Sequence, residues 1–221
     1  MCEMGTEKGA FITFEGDDGC GKTSTIGEIA PTLMKMGVSV LSVHEPGGTQ
    51  ISEQIRGVLS AHGNHMISPR TEALLFQGAR AQLVDEKILP WLKAGGVVLS
   101  DRFYDSTLAY QGYARGLDMG ELRQLIKFAT GGLKPDLTLF FDVQPEIGLA
   151  RASGRGEMDR LDLEKLPFHK KVYEGYQALM KEEPQRWRRV DAGKDLVSVQ
   201  AEATGLVLEF LRLRGIGLLG L

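Results

Sequence analysis

The sequence lacks most of what marks a secreted, membrane-borne or nucleic-acid-coating protein. Its 221 residues include two cysteines, one near the N-terminus and one inside a glycine-rich loop, which make no disulfide framework and suit a reducing compartment. No stretch approaches the about 18 uninterrupted apolar residues of a membrane span. The opening MCEMGTEKGA has neither the basic nor the apolar region of a secretory signal, so a soluble cytoplasmic protein is expected. Charge is nearly balanced. With 26 Lys and Arg against 29 Asp and Glu, the formal charge of −3 gives no general reason to bind nucleic acid or a membrane, and any phosphate ligand must be met by local clusters. His44, His62, His65 and His169 fall into no metal-ligand spacing. Repeats, long linkers and low-complexity segments are missing too, leaving one α/β domain, at most with an inserted lid.

What is present centres on Gly16 to Thr23, GDDGCGKT, which fits GxxxxGK[ST] between an apolar run, Ala10 to Phe14, and a helical segment from Lys22. Gly16, Gly19 and Gly21 permit backbone angles and close approaches that a Cβ would block, so consecutive N–H groups converge on an anion. The next helix adds its positive end. Asp17, Asp18, Gly19 and Cys20 fill the variable positions, Lys22 reaches the β- and γ-phosphates of a nucleotide, and Thr23 is placed to ligate Mg²⁺.

Short β-branched runs alternate with longer helix-period stretches, the pattern of a parallel sheet covered on both faces. Strands are expected at Phe11 to Glu15, Val38 to Val43, Val97 to Ser100, Leu137 to Val143 and Trp187 to Val190; the first four are continuously apolar, and the fifth, WRRV, suits an edge. Helices are expected at Gly21 to Met36, Gln50 to Ala61, Thr71 to Ala94, Gly120 to Thr130, Pro145 to Ala152, Glu164 to Glu183 and Leu196 to Leu213, with Gly37 and Gly95 as C-terminal caps. Gly27, inside the first helix, suggests a close backbone contact.

Ligands of such sheets bind beyond the carboxyl ends of the strands, so the residues just after each strand matter most. The second strand runs into His44 and the tight turn of Glu45 to Thr49, EPGGT. The third delivers Asp101, suited to Mg²⁺ through water, and Arg102, suited to a phosphate. In isolation they read as a surface ion pair; after a phosphate loop and a buried strand they read as a site. Phe76 and Arg80, four apart on one helix, set an apolar plate beside a planar donor, which a nucleobase needs, although this spacing alone more often means a core Phe and a surface Arg. Arg151, Arg155 and Arg160 lie in RASGRGEMDR. That is an ordinary solvated loop in most proteins, but in a phosphoryl-transfer enzyme it is a closing arginine lid at about 151–162.

Together FEGDDGCGKT, EPGGT, LLFQGARAQ, DRFYDSTLAYQG, RGEMDR and VDAG, in this order and spacing, closely resemble the thymidylate kinase family, over nearly the whole chain from about Ala10 to about Phe210. The resemblance implies a P-loop NTPase fold with a five-stranded parallel sheet in order 2-3-1-4-5, helices on both faces and a short lid. It also implies transfer of the ATP γ-phosphate to dTMP, giving dTDP, with Mg²⁺, and a homodimer. Carried over by position, Asp18 meets the sugar 3′-OH and the phosphate-binding arginine, Phe76 stacks on thymine and Arg80 donates to its O4. Thr107 meets the N3 side, Tyr110 crowds the 2′ position, Arg102 holds the acceptor phosphate, and Gln111 and Arg56 stand near the base or sugar and the phosphate. The family carries its catalytic arginine either in the phosphate loop or in the lid. The loop here has none, so this chain resembles the lid type, with Arg155 first among Arg151, Arg155 and Arg160.

Two positions depart from the family pattern. Asp17 stands where an apolar residue is common, a second carboxylate that should be unfavourable beside ATP unless compensated. Cys20 replaces a small residue, and its place beside Lys22 at a helix N-terminus suggests enhanced thiolate character. Two rivals remain at this point: a deoxynucleoside kinase, and a nucleotide-driven switch or motor. EPGGT and the arginine lid speak against the first; the lack of an NKxD-type reader, and SDR in place of an apolar run ending in Asp-Glu, speak against the second.

Overall fold

The computed structural model describes residues 9–154, 160–161 and 163–218. Five parallel strands, β1 (Ala10–Glu15), β2 (Val40–His44), β3 (Val97–Asp101), β4 (Leu137–Asp142) and β5 (Trp187–Asp191), form a sheet in the order β2-β3-β1-β4-β5. This is the expected order, with WRRV at an edge. Register brings the carboxyl ends level, Asp101 opposite Phe14 on one side and His44 on the other. In β2 only Val40 and Val43 are buried, Leu41 and His44 are partly exposed and Ser42 is exposed, because as the second edge it is only half covered.

Helices α1 (Lys22–Lys35), α2 (Gln50–Ser60), α3 (Pro69–Leu83), α4 (Leu89–Lys93), α5 (Tyr104–Thr107), α6 (Met119–Thr130), α7 (Pro145–Ser153), α8 (Leu166–Glu182) and α9 (Leu196–Leu213) flank it. The alternation of β1 divides the core: Ala10, Ile12 and Phe14 pack with α1 and α9, whereas Phe11 packs with α3, α6 and α8. Thr13 and Glu15 point to the second side, and Glu15 ends the strand as a buried carboxylate. Gly37 and Gly95 adopt φ of 81° and 83° just beyond α1 and α4, as expected of helix-ending glycines.

Three expectations change. The single helix over Thr71 to Ala94 is α3, a π-helical turn at Val84–Ile88 and α4, with Pro90, which has no N–H to donate, at the second position of α4. The stretch after β3, for which no helix is expected, is α5 continued by a π-helical segment, Leu108–Ala114. Gly27 makes no close contact: a Cβ there would meet nothing within 4 Å. It precedes Pro31 by one helical turn, where the proline ring crowds the carbonyl. Near the C-terminus, Ile216 and Leu218 rest on the core, and Arg214 pairs with Asp136 at 2.7 Å. Cys2 lies outside the described residues.

Candidate active site

The loop between β1 and α1 turns through positive φ at Gly16 (143°), Gly19 (77°) and Gly21 (94°). Gly19 lies directly on α7: a Cβ would stand 2.1 Å from the Gly148 carbonyl oxygen, and one on Gly148 would stand 2.8 Å from that of Asp18. Lys22 is folded into the loop, its Nζ donating to Gly16 O at 3.1 Å and Asp17 O at 2.9 Å. Thr23, in the first turn of α1, donates to Asp101 Oδ2 at 2.5 Å, which joins the two proposed metal ligands across loop and strand. Cys20 corrects an expectation. Lys22 Nζ is 3.4 Å away, but burial pushes the thiol up, so the buried Sγ is a poor thiolate.

Beyond the carboxyl ends of the strands opens a cavity of about 520 Å³. Asp18, Lys22, Thr23, Asp101 and Arg102 line it near the loop; Arg56, Phe76, Arg80, Thr107, Tyr110 and Gln111 line it farther away. Arg102 adopts φ 69°, the one non-glycine residue with positive φ among the described residues. This left-handed turn costs about 1–2 kcal/mol and aims the side chain at the loop, where Nη2 meets both oxygens of Asp18 at 2.9 Å and Nη1 donates to Gly16 O at 2.9 Å. Glu15 supports it from below. Its carboxylate accepts from Phe103 N (2.8 Å), Ser106 Oγ (2.6 Å) and Tyr176 OH (2.9 Å), and the last two oxygens also receive Arg102 Nη1. Burial and the nearby Asp105 push the Glu15 carboxyl up to about 7.

At the far end, Phe76 is a half-buried wall and Arg80 is buried behind it. Arg80 makes four hydrogen bonds, from Nε to Glu45 Oε2, from Nη1 to Gln77 Oε1 and Thr107 Oγ1, and from Nη2 to Phe103 O, and Nη2 also lies 2.6 Å from Glu45 Oε2. The expected donor to a base edge is thus held among protein acceptors at the cavity wall. Gln111 donates to Glu72 at 2.9 Å, and Arg56 contacts His44 Nδ1 at 2.9 Å and Pro46 O at 3.2 Å.

The thymidylate kinase family model matches residues 14–203. The chain is 46% identical over 204 residues to a thymidylate kinase of Thermoanaerobacter sp. (strain X514), which spans 92% of this chain and all of that protein. It is 46% identical over 202 residues to one of Clostridium novyi (90% and 98%), and 47% identical over 203 residues to one of Lactobacillus delbrueckii subsp. bulgaricus (90% and 96%). The chain belongs to the thymidylate kinase family.

For a thymidylate kinase, two of the arginines assigned to the lid sit unexpectedly. Arg160 is buried, donating to Leu59 O at 2.9 Å and to Glu72 at 2.6 Å, so its charge is neutralised inside the protein. Arg151, in the last turn of α7, donates to Ala192 O at 2.6 Å and also reaches the carbonyls of Gly193 and Lys194. It borders a second cavity, of about 290 Å³, with Gly19, Cys20, Gly21, Lys194 and Leu196, on the other side of the loop. Arg155 lies outside the described residues. Several residues of this thymidylate kinase site escape a reading of the sequence. Glu72, 1% exposed, gathers Gln111, Arg115 and Arg160; Glu45 and Ser106 orient the two cavity arginines. One signal is the spacing of Glu72 and Phe76, which puts a carboxylate one turn from the aromatic plate.

Proposed function

We propose that dTMP lies at the Phe76 end of the larger cavity and the ATP phosphates over the Gly16 to Thr23 loop, so that acceptor and donor meet beside Arg102. As a thymidylate kinase, the protein catalyses ATP-dependent phosphorylation of dTMP to dTDP. The residue-level reading is supported by one continuous cavity that reaches both Lys22 with Thr23 and Phe76 with Arg80, with Arg102 in its wall.

On this reading, the loop N–H groups and Lys22 hold the donor phosphates, Lys22 exchanging its loop carbonyls for them. Arg102, exchanging part of its hold on Asp18, grips the acceptor phosphate while Asp18 accepts from the sugar 3′-OH; Arg56 adds a second positive charge. Phe76 stacks on thymine, and Thr107 Oγ1, which accepts from Arg80 and Gln77, exchanges one of these donors for the thymine N3–H. Arg80 reaches thymine by exchanging the movable Gln77 amide. Gln111 bounds the base, and Tyr110 closes the 2′ side of the sugar. The adenosine of ATP is assigned to the smaller cavity, where the planar Arg151 guanidinium offers a face for stacking.

Thr23 Oγ1 and Asp101 Oδ2 are the hard oxygen donors that suit Mg²⁺, an ion that keeps waters and phosphate oxygens in its shell. Bound there, the ion neutralises phosphate charge. Residues 151–162 are read as a lid on a single domain, with Arg155 supplying the transition-state contact. A homodimer fits Ile51 and Val58 of α2 and Leu74 of α3, which are 50%, 44% and 58% exposed. The test is ADP release with ATP, Mg²⁺ and a panel of dTMP, dUMP, thymidine, CMP and shikimate. A strong dTMP preference is expected, and turnover with thymidine alone would overturn the base and phosphate assignments.

A further inference from the structure

Asp17 and Asp18 are adjacent carboxylates in the phosphate loop with opposite surroundings. Asp18 borders the cavity, whereas Asp17 is 5% exposed and points into the protein. Asp17 Oδ1 accepts from Asp18 N at 2.9 Å, from the Tyr110 hydroxyl at 3.0 Å and from His169 Nδ1 at 3.0 Å; Oδ2 is 2.9 Å from the same histidine nitrogen. An ionised carboxylate only accepts, so both Nδ1 and the phenol are donors here. Burying a carboxylate costs several kcal/mol unless donors surround it, and an apolar side chain would fill this space without that cost. The like-charge problem of two neighbouring carboxylates is thus solved by turning one inward onto two donors.

The partners come from two different elements, the π-helical segment Leu108–Ala114 and α8. His169 is fully buried and fixes the rotation of the carboxylate; the carboxylate then fixes the hydroxyl of Tyr110. The ring is otherwise packed among apolar core neighbours, with the Arg102 guanidinium 5.2 Å from its centroid and the Phe168 ring at 6.0 Å and 65°, contacts less directional than a hydrogen bond. The bond to Asp17 is the directional contact at the hydroxyl end of this cavity wall. The loop that holds phosphates also holds the wall beside the sugar.

We propose that Asp17 is a positioning residue for substrate selection: through the Tyr110 hydroxyl it keeps the ring from yielding to a 2′-hydroxyl, and so maintains the preference for a deoxyribonucleotide acceptor. This rests on the reading above, in which the dTMP sugar meets Tyr110. The test compares kcat/KM for dTMP and for ribothymidine 5′-monophosphate in the wild type and in Asp17→Asn, Asp17→Val, Tyr110→Phe, Tyr110→Ala and the Asp17→Val/Tyr110→Phe double variant. Asp17→Val and Tyr110→Phe should each lower the deoxy-to-ribo ratio about tenfold, and the double variant no further. Asp17→Asn, whose remaining carbonyl oxygen still accepts from the Tyr110 hydroxyl, should keep the ratio. Thermal melts identify the folded variants, and if Asp17→Val does not fold, Tyr110→Phe breaks the same bond from its other end. An unchanged ratio in folded Tyr110→Phe overturns the inference. If Tyr110→Ala relaxes selection while Tyr110→Phe does not, the anchoring role alone fails; if Tyr110→Ala also leaves the ratio unchanged, the placement of the sugar fails with it.

Discussion

Two arginine–carboxylate pairs line the same cavity and differ mainly in their access to water. Arg80 and Glu45, 2.6 Å apart, are 1% and 3% exposed; Arg102 and Asp18, 2.9 Å apart, are 15% and 36% exposed. In the sealed pair Arg80 is also hydrogen-bonded to Gln77, Thr107 and Phe103, and burial pushes the Glu45 carboxyl up even against the guanidinium. Removing one partner would leave a charge with no water to turn to, so the pair behaves as scaffold. In the open pair, solvent screens the attraction, and a phosphate can displace Asp18 from Arg102 at small cost. Identical residue types thus act as framework or as receptor according to their solvation.

The comparison can be broken at its open end first. Arg102→Ala should lower kcat/KM for dTMP about a thousandfold, or about 4 kcal/mol in steady-state kinetics. Its stability in urea should change by only about 1 kcal/mol, because the partner left behind is solvated. Glu45→Ala should do the reverse. Unfolding titrations should show a loss of about 3–5 kcal/mol, since a buried guanidinium loses its counter-charge.

Glu15, beneath the open pair, sharpens the contrast through pH. Its carboxyl sits at about 7 in the folded protein against an ordinary 4.5, so the folded state holds the proton more tightly. That contribution to stability is fully present below the unfolded value and disappears as pH rises through 7. The loss amounts to about 3 kcal/mol. Urea titrations of Glu15→Gln from pH 5 to pH 8 should lack this decline relative to wild type. The smallest effect concerns the strained turn. Arg102→Gly should be more stable than Arg102→Ala by about 1 kcal/mol in thermal melts, because glycine accepts φ 69° freely.

Legibility in the sequence follows locality. The phosphate loop is contiguous, with chemistry carried by spacing, and the five strands announce themselves by apolar runs; both are readable. The order of the sheet and the cavity residues come through motifs whose arrangement resembles a family. The partners of Asp17, 93 and 152 residues away, carry no local signal. Neither do the three partners of Glu72, which come from the π-helical segment, its end and the stretch before α8; only the one-turn spacing from Phe76 hints at Glu72 itself. The helix after β3 escapes notice because π winding departs from the 3.6-residue period that sequence patterns reveal. For Cys20, the neighbours that favour a thiolate are visible along the chain, whereas the burial that outweighs them appears only in three dimensions. Arg160 illustrates the same limit: a charge run reads as solvent-facing until a buried carboxylate is found opposite.

The bare-backbone stacking of Gly19 on Gly148 has an evolutionary consequence. Each position excludes a methyl group because of main-chain atoms contributed by the other side, so the two sites, one in the loop and one on α7, cannot drift independently. A lineage could substitute either only after the helix had moved away, so this seam should change in a single step or not at all.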